Sequence, residues 1–207
     1  MKLEDDDAIL KENRCFGRES KVRQMRRIFI NDEWEDVSDN GQVVLCGFYH
    51  RYWNPDKTRN QAFDMFSGRI LDVKEKKERG IAYFFQQLDE EICKDVSICV
   101  VPSHTKGDTN DSGIAELARR LARNERIDKV DYLVRSKTID KLAYGGCRDI
   151  RVQLESISVN PNMTVEGDVV LIVDDVTTSG ASLEACRNIL LEHGARRVAM
   201  LALGQSV

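Results

Sequence analysis

Two adjacent carboxylates, Asp174 and Asp175, stand between an apolar run and a loop of hydroxyl-bearing and small residues. Residues 169–182 read Val-Val-Leu-Ile-Val-Asp-Asp-Val-Thr-Thr-Ser-Gly-Ala-Ser. A strand, a small-residue loop and a helix start gather backbone N–H groups at the positive end of a helix dipole, and this arrangement binds anions. Carboxylates repel a phosphate, so the acidic pair suits neutral vicinal hydroxyls or a metal ion. A phosphate beside a diol indicates a ribose 5-phosphate.

The anion-binding loop that this pattern predicts supplies hydroxyls and main-chain N–H groups from Thr177, Thr178, Ser179, Gly180, Ala181 and Ser182. An ordinary buried strand followed by a capped helix is the alternative, in which Ser182 is a plain N-cap. The segment lacks the Gly-Lys-Ser/Thr ending of a Walker A loop and the three spaced glycines of a Rossmann loop.

The elements that must position these residues alternate between strands and helices. Apolar runs predict strands at residues 96–101, 131–134, 169–173 and 197–203. Helical periodicity predicts helices over residues 74–93, 112–124 and 183–193, the last of them ended by Gly194. The predicted fold class is therefore α/β, with a mainly parallel central sheet flanked by helices and a site at the carboxyl ends of its strands.

The region before this alternation differs from it. Residues 26–52 contain short β-forming runs and the turn signal Asp39-Asn40-Gly41, which together predict a small β-meander. With a boundary in the stretch 54–75, we expect a small N-terminal β/α appendage at residues 1–75, forming a hood over the site, and a core at 76–207. The aromatic residues Trp34, Tyr49, Tyr52 and Trp53 could stack on a base there, although core or interface roles are favoured.

Composition narrows the function classes. The 207 residues are 42% hydrophobic and 32% charged, with a net charge of −4, which disfavours a broad nucleic-acid surface but leaves a local basic patch open. No apolar run approaches the roughly 20 residues that span a bilayer. The six cysteines are scattered and form no Cys-x-x-Cys, so we expect a reducing cytoplasm and no zinc site.

Residues 169–182 resemble the signature of the type I phosphoribosyltransferases. In that family the acidic pair binds the ribose 2- and 3-hydroxyls of phosphoribosyl pyrophosphate, and the following loop binds the 5-phosphate. The resemblance implies that Asp174 and Asp175 bind the hydroxyls and act in catalysis, and that residues 177–182 hold the phosphate. It also implies Mg²⁺, bound mainly through the donor and with no direct protein ligand.

The resemblance assigns the donor's pyrophosphate to the loop after the first core strand, residues 102–108. Its candidate ligands are Ser103, His104, Thr105 and Lys106, with Lys106 also catalytic because a cation stabilises the departing pyrophosphate. Arg135 and Lys137 follow the next strand and are either further donor ligands or a solvated strand end. The glycine-containing stretch 144–148 is a candidate for a loop that closes over the donor.

Within this family the chain is most similar to the ComF-like branch, over residues 96–207. The similarity includes Ile-Cys-Val-Val-Pro-Ser at 98–103, the Ala-Glu-Leu helix at 115–122 and Arg-Ser-Lys-Thr at 135–138. Two features depart from that branch. Residues 110–114 read Asn-Asp-Ser-Gly-Ile where the branch has Arg-Gly-Phe-Asn-Gln, and its cysteine-rich N-terminal zinc module is missing.

The function predicted from the sequence is Mg²⁺-dependent transfer of a phosphoribosyl group from phosphoribosyl pyrophosphate to a nitrogen acceptor, with release of pyrophosphate. Two alternatives use the same fold: a non-catalytic sensor of phosphoribosyl pyrophosphate or of a nucleotide, and a defence-associated effector. The acceptor and a homodimeric state are left open.

Overall fold

A computed structural model describes residues 42–107, 110–139 and 150–207. Along the chain its elements are β1 (Val43–Leu45), β2 (Phe48–Tyr49), α1 (Met65–Lys74), α2 (Glu78–Leu88), β3 (Ser97–Val100), α3 (Gly113–Ala122), β4 (Ile127–Asp128), β5 (Leu133–Arg135), α4 (Ile150–Ser156), β6 (Ile157–Val159), β7 (Val169–Thr177), α5 (Ala181–Glu192) and β8 (Arg197–Ser206). None of the helices in these described ranges is long and apolar enough to cross a membrane.

The central sheet has the strand order β1-β8-β7-β3-β4, with β2 also paired to β8. Every pairing in it is parallel. Strand β7 is buried on both faces: Leu171 and Val173 pack in the core beneath α1, α2 and α3, while Val170 and Ile172 pack in the core beneath α5. The predicted α/β class, a mainly parallel sheet flanked by helices, is confirmed.

The strand predicted at residues 131–134 does not join this sheet. Its counterpart β5 pairs antiparallel with β6 in a separate two-stranded sheet. The central sheet is instead continued by the two-residue strand β4. Such a short strand gives too little pattern to be recognised in the sequence.

The described end of the predicted meander is also placed differently. Strands β1 and β2 both run parallel to β8, in the register Val43↔Met200 and Phe48↔Gln205. They cover an edge of a long apolar strand that would otherwise leave its backbone groups unpaired. Residues 26–41 lie outside the described residues, and the division at residue 75 stays a prediction.

The single helix predicted over residues 74–93 is two helices. Helix α1 ends at Lys74 and α2 begins at Glu78. Between them Lys76 has a φ of 55°, a left-handed conformation that interrupts a right-handed helix. The second helix packs on the core through Ile81, Phe84 and Leu88, which are buried.

Helix α1 is packed closely against its neighbours through glycines. A Cβ on Gly113, at the start of α3, would overlap the carbonyl oxygen of Val73 in α1. A Cβ on Gly204 in β8 would lie 2.6 Å from Cδ1 of Ile70, also in α1. These close approaches fix where the C-terminal end of α1, including Lys74, meets the sheet.

We therefore expect Gly113→Ala to lower the free energy of unfolding by about 1–3 kcal/mol, the usual cost of overpacking. Thermal denaturation should show a loss of several degrees. Gly68→Ala is the matched control, because its nearest neighbouring atom lies 3.7 Å away, on Phe63, and alanine favours a helix interior. Equal melting temperatures for the two variants would contradict the close packing of α1.

Candidate functional site

Two loops leave the sheet at its topological switch point. From β7 the chain crosses through α5 to β8, on one side, and from β3 it crosses through α3 to β4, on the other. In open α/β sheets, ligands bind outside the carboxyl ends of the strands at such a point. The main-chain N–H of Val101 donates to the carbonyl of Val173 at 3.2 Å, so the loop after β3 starts directly beside Asp174.

Strand β7 continues through the acidic pair, four residues beyond the predicted end at 173. Asp174 lies opposite Ala202 and Thr177 opposite Gln205 on β8. Since successive side chains of a strand point to opposite faces, Asp174 falls on the α5 side and Asp175 on the α1 side. The two carboxylates therefore have different surroundings.

Asp174 is half-buried, and one of its oxygens accepts the main-chain N–H of Asp175 at 2.8 Å. Burial, followed by the negative charge of Asp175, raises the pKa of Asp174 to about 7, against the opposing influence of Lys74. This carboxyl can therefore exchange a proton near neutral pH, as groups in functional sites often do.

Asp175 is paired with a residue that the sequence did not single out. Lys74 Nζ, at the end of α1, lies 3.0 Å from Asp175 Oδ2 and 5.9 Å from the centre of the Tyr49 ring. Burial acts to lower the pKa of Lys74, but the charges of Asp175 and Asp174 outweigh it and the pKa is raised. The lysine therefore stays protonated beside the acidic pair.

The loop after β7 leads directly into α5. Thr177 Oγ1 accepts the N–H of Gly180 at 3.1 Å, which folds the loop back on itself. Gly180 is the N-cap of α5, with a φ of 81° that favours glycine and no side-chain cap. Ser182, the alternative N-cap in the sequence, is the second residue of the helix. Within the first helical turn the Ala181 N–H meets Ser179 Oγ at a long 3.5 Å, so the N–H groups there remain available to an anion.

These residues line a pocket of about 300 Å³. The predicted residues in its wall are Asp174, Thr177, Thr178, Ser179, Gly180, Ala181 and Ser182. Sequence reasoning missed Arg51, Lys74 and Ser206, which complete the wall together with Tyr49 and Val176. Asp175 does not line the pocket. A carboxylate, two cations and an uncapped helix start therefore share one small cavity, which suits a phosphorylated polyol.

Arg135 anchors the backbone of the loop after β3. This arginine is buried, and its guanidinium donates to the carbonyls of Ser103 at 2.8 Å and Pro102 at 3.2 Å, and to Ser156 Oγ at 2.7 Å. Its side chain faces these loop and helix groups, so Arg135 positions the loop and is not a solvated strand end; its role as a donor ligand stays a prediction.

The remaining predicted residues of that loop differ in their exposure. Thr105 and Lys106 are exposed, Ser103 and His104 are half-buried, and Lys137 is exposed on the neighbouring segment. The Lys106 N–H donates to Thr138 Oγ1 at 3.0 Å, which ties the two segments together. None of these residues lines the 300 Å³ pocket. Asp108 and the glycine-containing stretch 144–148 lie outside the described residues.

No protein-family profile matches the chain, and no curated protein sequence matches it. Two solved structures are similar to it: the tetragonal and orthorhombic crystal structures of a hypoxanthine phosphoribosyltransferase from Staphylococcus aureus. Their identities are 11% and 13% and their TM-scores 0.38 and 0.37, and each match covers 67% of this chain and 74% of the other. The likeness is distant and assigns no family.

Proposed function

We propose that the chain is a Mg²⁺-dependent phosphoribosyltransferase that uses phosphoribosyl pyrophosphate as donor and a nitrogen atom as acceptor. The observation that carries the proposal is the pocket, in which the carboxylate of Asp174 lies beside the uncapped start of α5. A ribose 5-phosphate presents the matching groups, an anion and a vicinal diol.

In this proposal the 5-phosphate lies on the loop of residues 177–182. It accepts hydrogen bonds from main-chain N–H groups and from the exposed hydroxyls of Thr178 and Ser179. The ribose hydroxyls donate to the acidic pair at the end of β7. Charged acceptors of this kind give hydrogen bonds roughly twice as strong as neutral ones.

The pyrophosphate then extends toward the loop after β3, which begins beside Asp174. In the reaction the bond from the ribose C1 to the pyrophosphate oxygen breaks, a bond from C1 to the acceptor nitrogen forms, and that nitrogen loses a proton. Lys106, and with it Lys137, would stabilise the negative charge that develops on the pyrophosphate.

Mg²⁺ would arrive with the donor, whose phosphate oxygens are ligands that it prefers. Within the described ranges, no group of three or more His, Cys, Asp or Glu side chains is placed to hold a metal ion. In this proposal the cation is held mainly by the diphosphate. Its chemistry would be neutralisation of the charge on the leaving group.

The finer placement in the ComF-like branch rests on the motifs at 98–103, 115–122 and 135–138 alone. Helix α3 carries the second of these motifs and is capped by Ser112, whose Oγ accepts the N–H of Ala115 at 3.2 Å. The branch's Arg-Gly-Phe-Asn-Gln segment would span this cap, at residues 110–114. Its replacement leaves the acceptor open.

We expect the protein to bind phosphoribosyl pyrophosphate in the presence of Mg²⁺, with ribose 5-phosphate as a competitor. Titration calorimetry measures both, and glucose 6-phosphate serves as a control phosphate with a different hydroxyl arrangement. Folded protein that binds neither ribose ligand would refute the proposal. Pyrophosphate release measured against a panel of nitrogen bases then separates a transferase from a protein that only senses the donor.

A further inference from the structure

Lys74 pairs with one of the two carboxylates and not with the other. Its ammonium group lies 3.0 Å from Asp175 Oδ2 and also forms part of the pocket wall that contains Asp174. The lysine and aspartate side chains retain 34% and 25% of their exposure, and a ligand in the pocket meets the pair from its lysine side, since Asp175 does not line the wall. The pair joins two segments that are 101 residues apart in the chain.

The position of Lys74 is fixed by the packing of α1. Val73 is fully buried, and its backbone is pressed against Gly113 of α3. One helical turn earlier, Ile70 packs on Gly204 of β8. The Tyr49 ring, 5.9 Å from the ammonium, borders the side chain from the edge strand. The ammonium group is therefore held at the carboxyl end of β7.

We propose that Lys74 is a positioning residue, which holds Asp175 on the α1 side of the sheet and leaves Asp174 as the carboxylate that binds the ribose diol. The inference rests on the proposed function and deepens it. Because Lys74 neutralises Asp175, the phosphate loop faces one net negative charge from the acidic pair and not two. The pocket can then accept a phosphate and still offer a charged acceptor to a hydroxyl.

The ligand class follows from this asymmetry. A single carboxylate beside a phosphate site selects a phosphorylated sugar that has a hydroxyl next to Asp174. Ribose 5-phosphate should therefore bind more tightly than 2-deoxyribose 5-phosphate, since the deoxy sugar leaves a carboxylate acceptor unpaired. The affinity ratio of these two probes measures the hydroxyl contact, because their phosphates are the same.

The experiment compares both probes by calorimetry on the full chain and on four variants: Asp174→Asn, Asp175→Asn, Lys74→Met and Lys74→Arg. The wild-type protein should prefer ribose 5-phosphate by about tenfold to a hundredfold, the range for a hydrogen bond to a charged group. Asp174→Asn should reduce this preference to about threefold or less. Asp175→Asn should keep most of the preference.

Lys74→Met should change the preference in a pH-dependent way. The groups that face Asp174 are Lys74 from α1, Asp175 on its own strand, Cys186 from α5, and Tyr49 and Arg51 from the edge strand and the residues after it. Removing the lysine charge raises the pKa of Asp174 further, so the preference for ribose should appear at higher pH than in the wild type. Lys74→Arg should restore the wild-type profile, which a loss of packing alone would not explain.

Equal loss of the preference in Asp174→Asn and Asp175→Asn would overturn the proposal, as would a wild-type pH profile in Lys74→Met. Wild-type protein that binds both sugars equally would overturn it while leaving the phosphate site intact. Protein that binds neither sugar would overturn the proposed function as well. Thermal denaturation of each variant shows whether it is folded. If Lys74→Met does not fold, the sugar preferences of the two aspartate variants and of Lys74→Arg still test the proposal.

Discussion

The double variant Asp174→Asn/Asp175→Asn is expected to bind phosphoribosyl pyrophosphate about a hundredfold more weakly than the wild type and to remain folded. Its amides accept only neutral hydrogen bonds from the ribose hydroxyls, and the loss relative to charged ones is roughly 2–3 kcal/mol in total. Titration calorimetry with Mg²⁺ present measures the change. Ribose 5-phosphate should lose affinity in parallel, because it carries the same hydroxyls.

The stability of this variant distinguishes a binding role from a structural one. The folded-state pKa of Asp174, about 7, lies above its value of about 3.9 in the unfolded chain. The folded protein therefore binds more protons between these pH values, and the Asp174 charge costs stability that is fully felt only above pH 7. Its removal offsets the loss of the half-exposed pair between Lys74 and Asp175, worth at most about 1 kcal/mol.

At pH 8 we therefore expect the melting temperature of the double variant to stay within a few degrees of the wild type. Asp128→Asn is the matched control, because Asp128 is an exposed carboxylate at the carboxyl end of β4 in the same sheet. It should change neither affinity nor stability appreciably. A large loss of thermal stability with unchanged affinity would show that the acidic pair serves the fold alone.

The helices and strands could be predicted where a single stretch of sequence carries the apolar pattern of the element. Strand β7 begins with five contiguous apolar residues, four of them β-branched, and the apolar face of α2 repeats at helical spacing. The errors concern pairing between distant segments. Residues 43–49 look like part of a local meander, yet their partner β8 lies about 150 residues further on. The break after α1 depends on one left-handed residue, Lys76, that carries no sequence signal.

The candidate site divides in the same way. The acidic pair and the loop of residues 177–182 could be found because they are contiguous and precede a helix. Lys74, Arg51 and Ser206 reach the same pocket from three other parts of the chain, and no local pattern connects them to it. The sequence around an arginine at a strand end is the same whether the side chain points to solvent or into the protein. The buried position of Arg135 beside the loop after β3 could therefore not be predicted.

On the pyrophosphate side, Lys106→Ala should weaken the affinity for phosphoribosyl pyrophosphate about tenfold to a hundredfold and leave that for ribose 5-phosphate nearly unchanged. Lys106 is exposed on the loop after β3 and lies outside the pocket that would hold the 5-phosphate. Its charge can therefore meet the diphosphate, which only the first ligand carries. The loss corresponds to one charge-assisted contact of roughly 1.5–3 kcal/mol.

Calorimetry at high and at limiting Mg²⁺ sharpens this test, since a bound cation carries part of the neutralising charge and the defect should grow as Mg²⁺ is withdrawn. Lys94→Ala is the matched control, because this exposed lysine precedes β3 at the opposite end of the sheet and pairs with Glu125. If Lys106→Ala weakens the affinity for both ligands equally, the lysine acts only through the overall electrostatic potential of the site and does not contact the diphosphate. If Lys106→Ala weakens the binding of neither ligand, the pyrophosphate lies elsewhere. Lys137 would then be the next residue to replace. It is exposed, and it lies next to Thr138, whose Oγ1 accepts the Lys106 N–H.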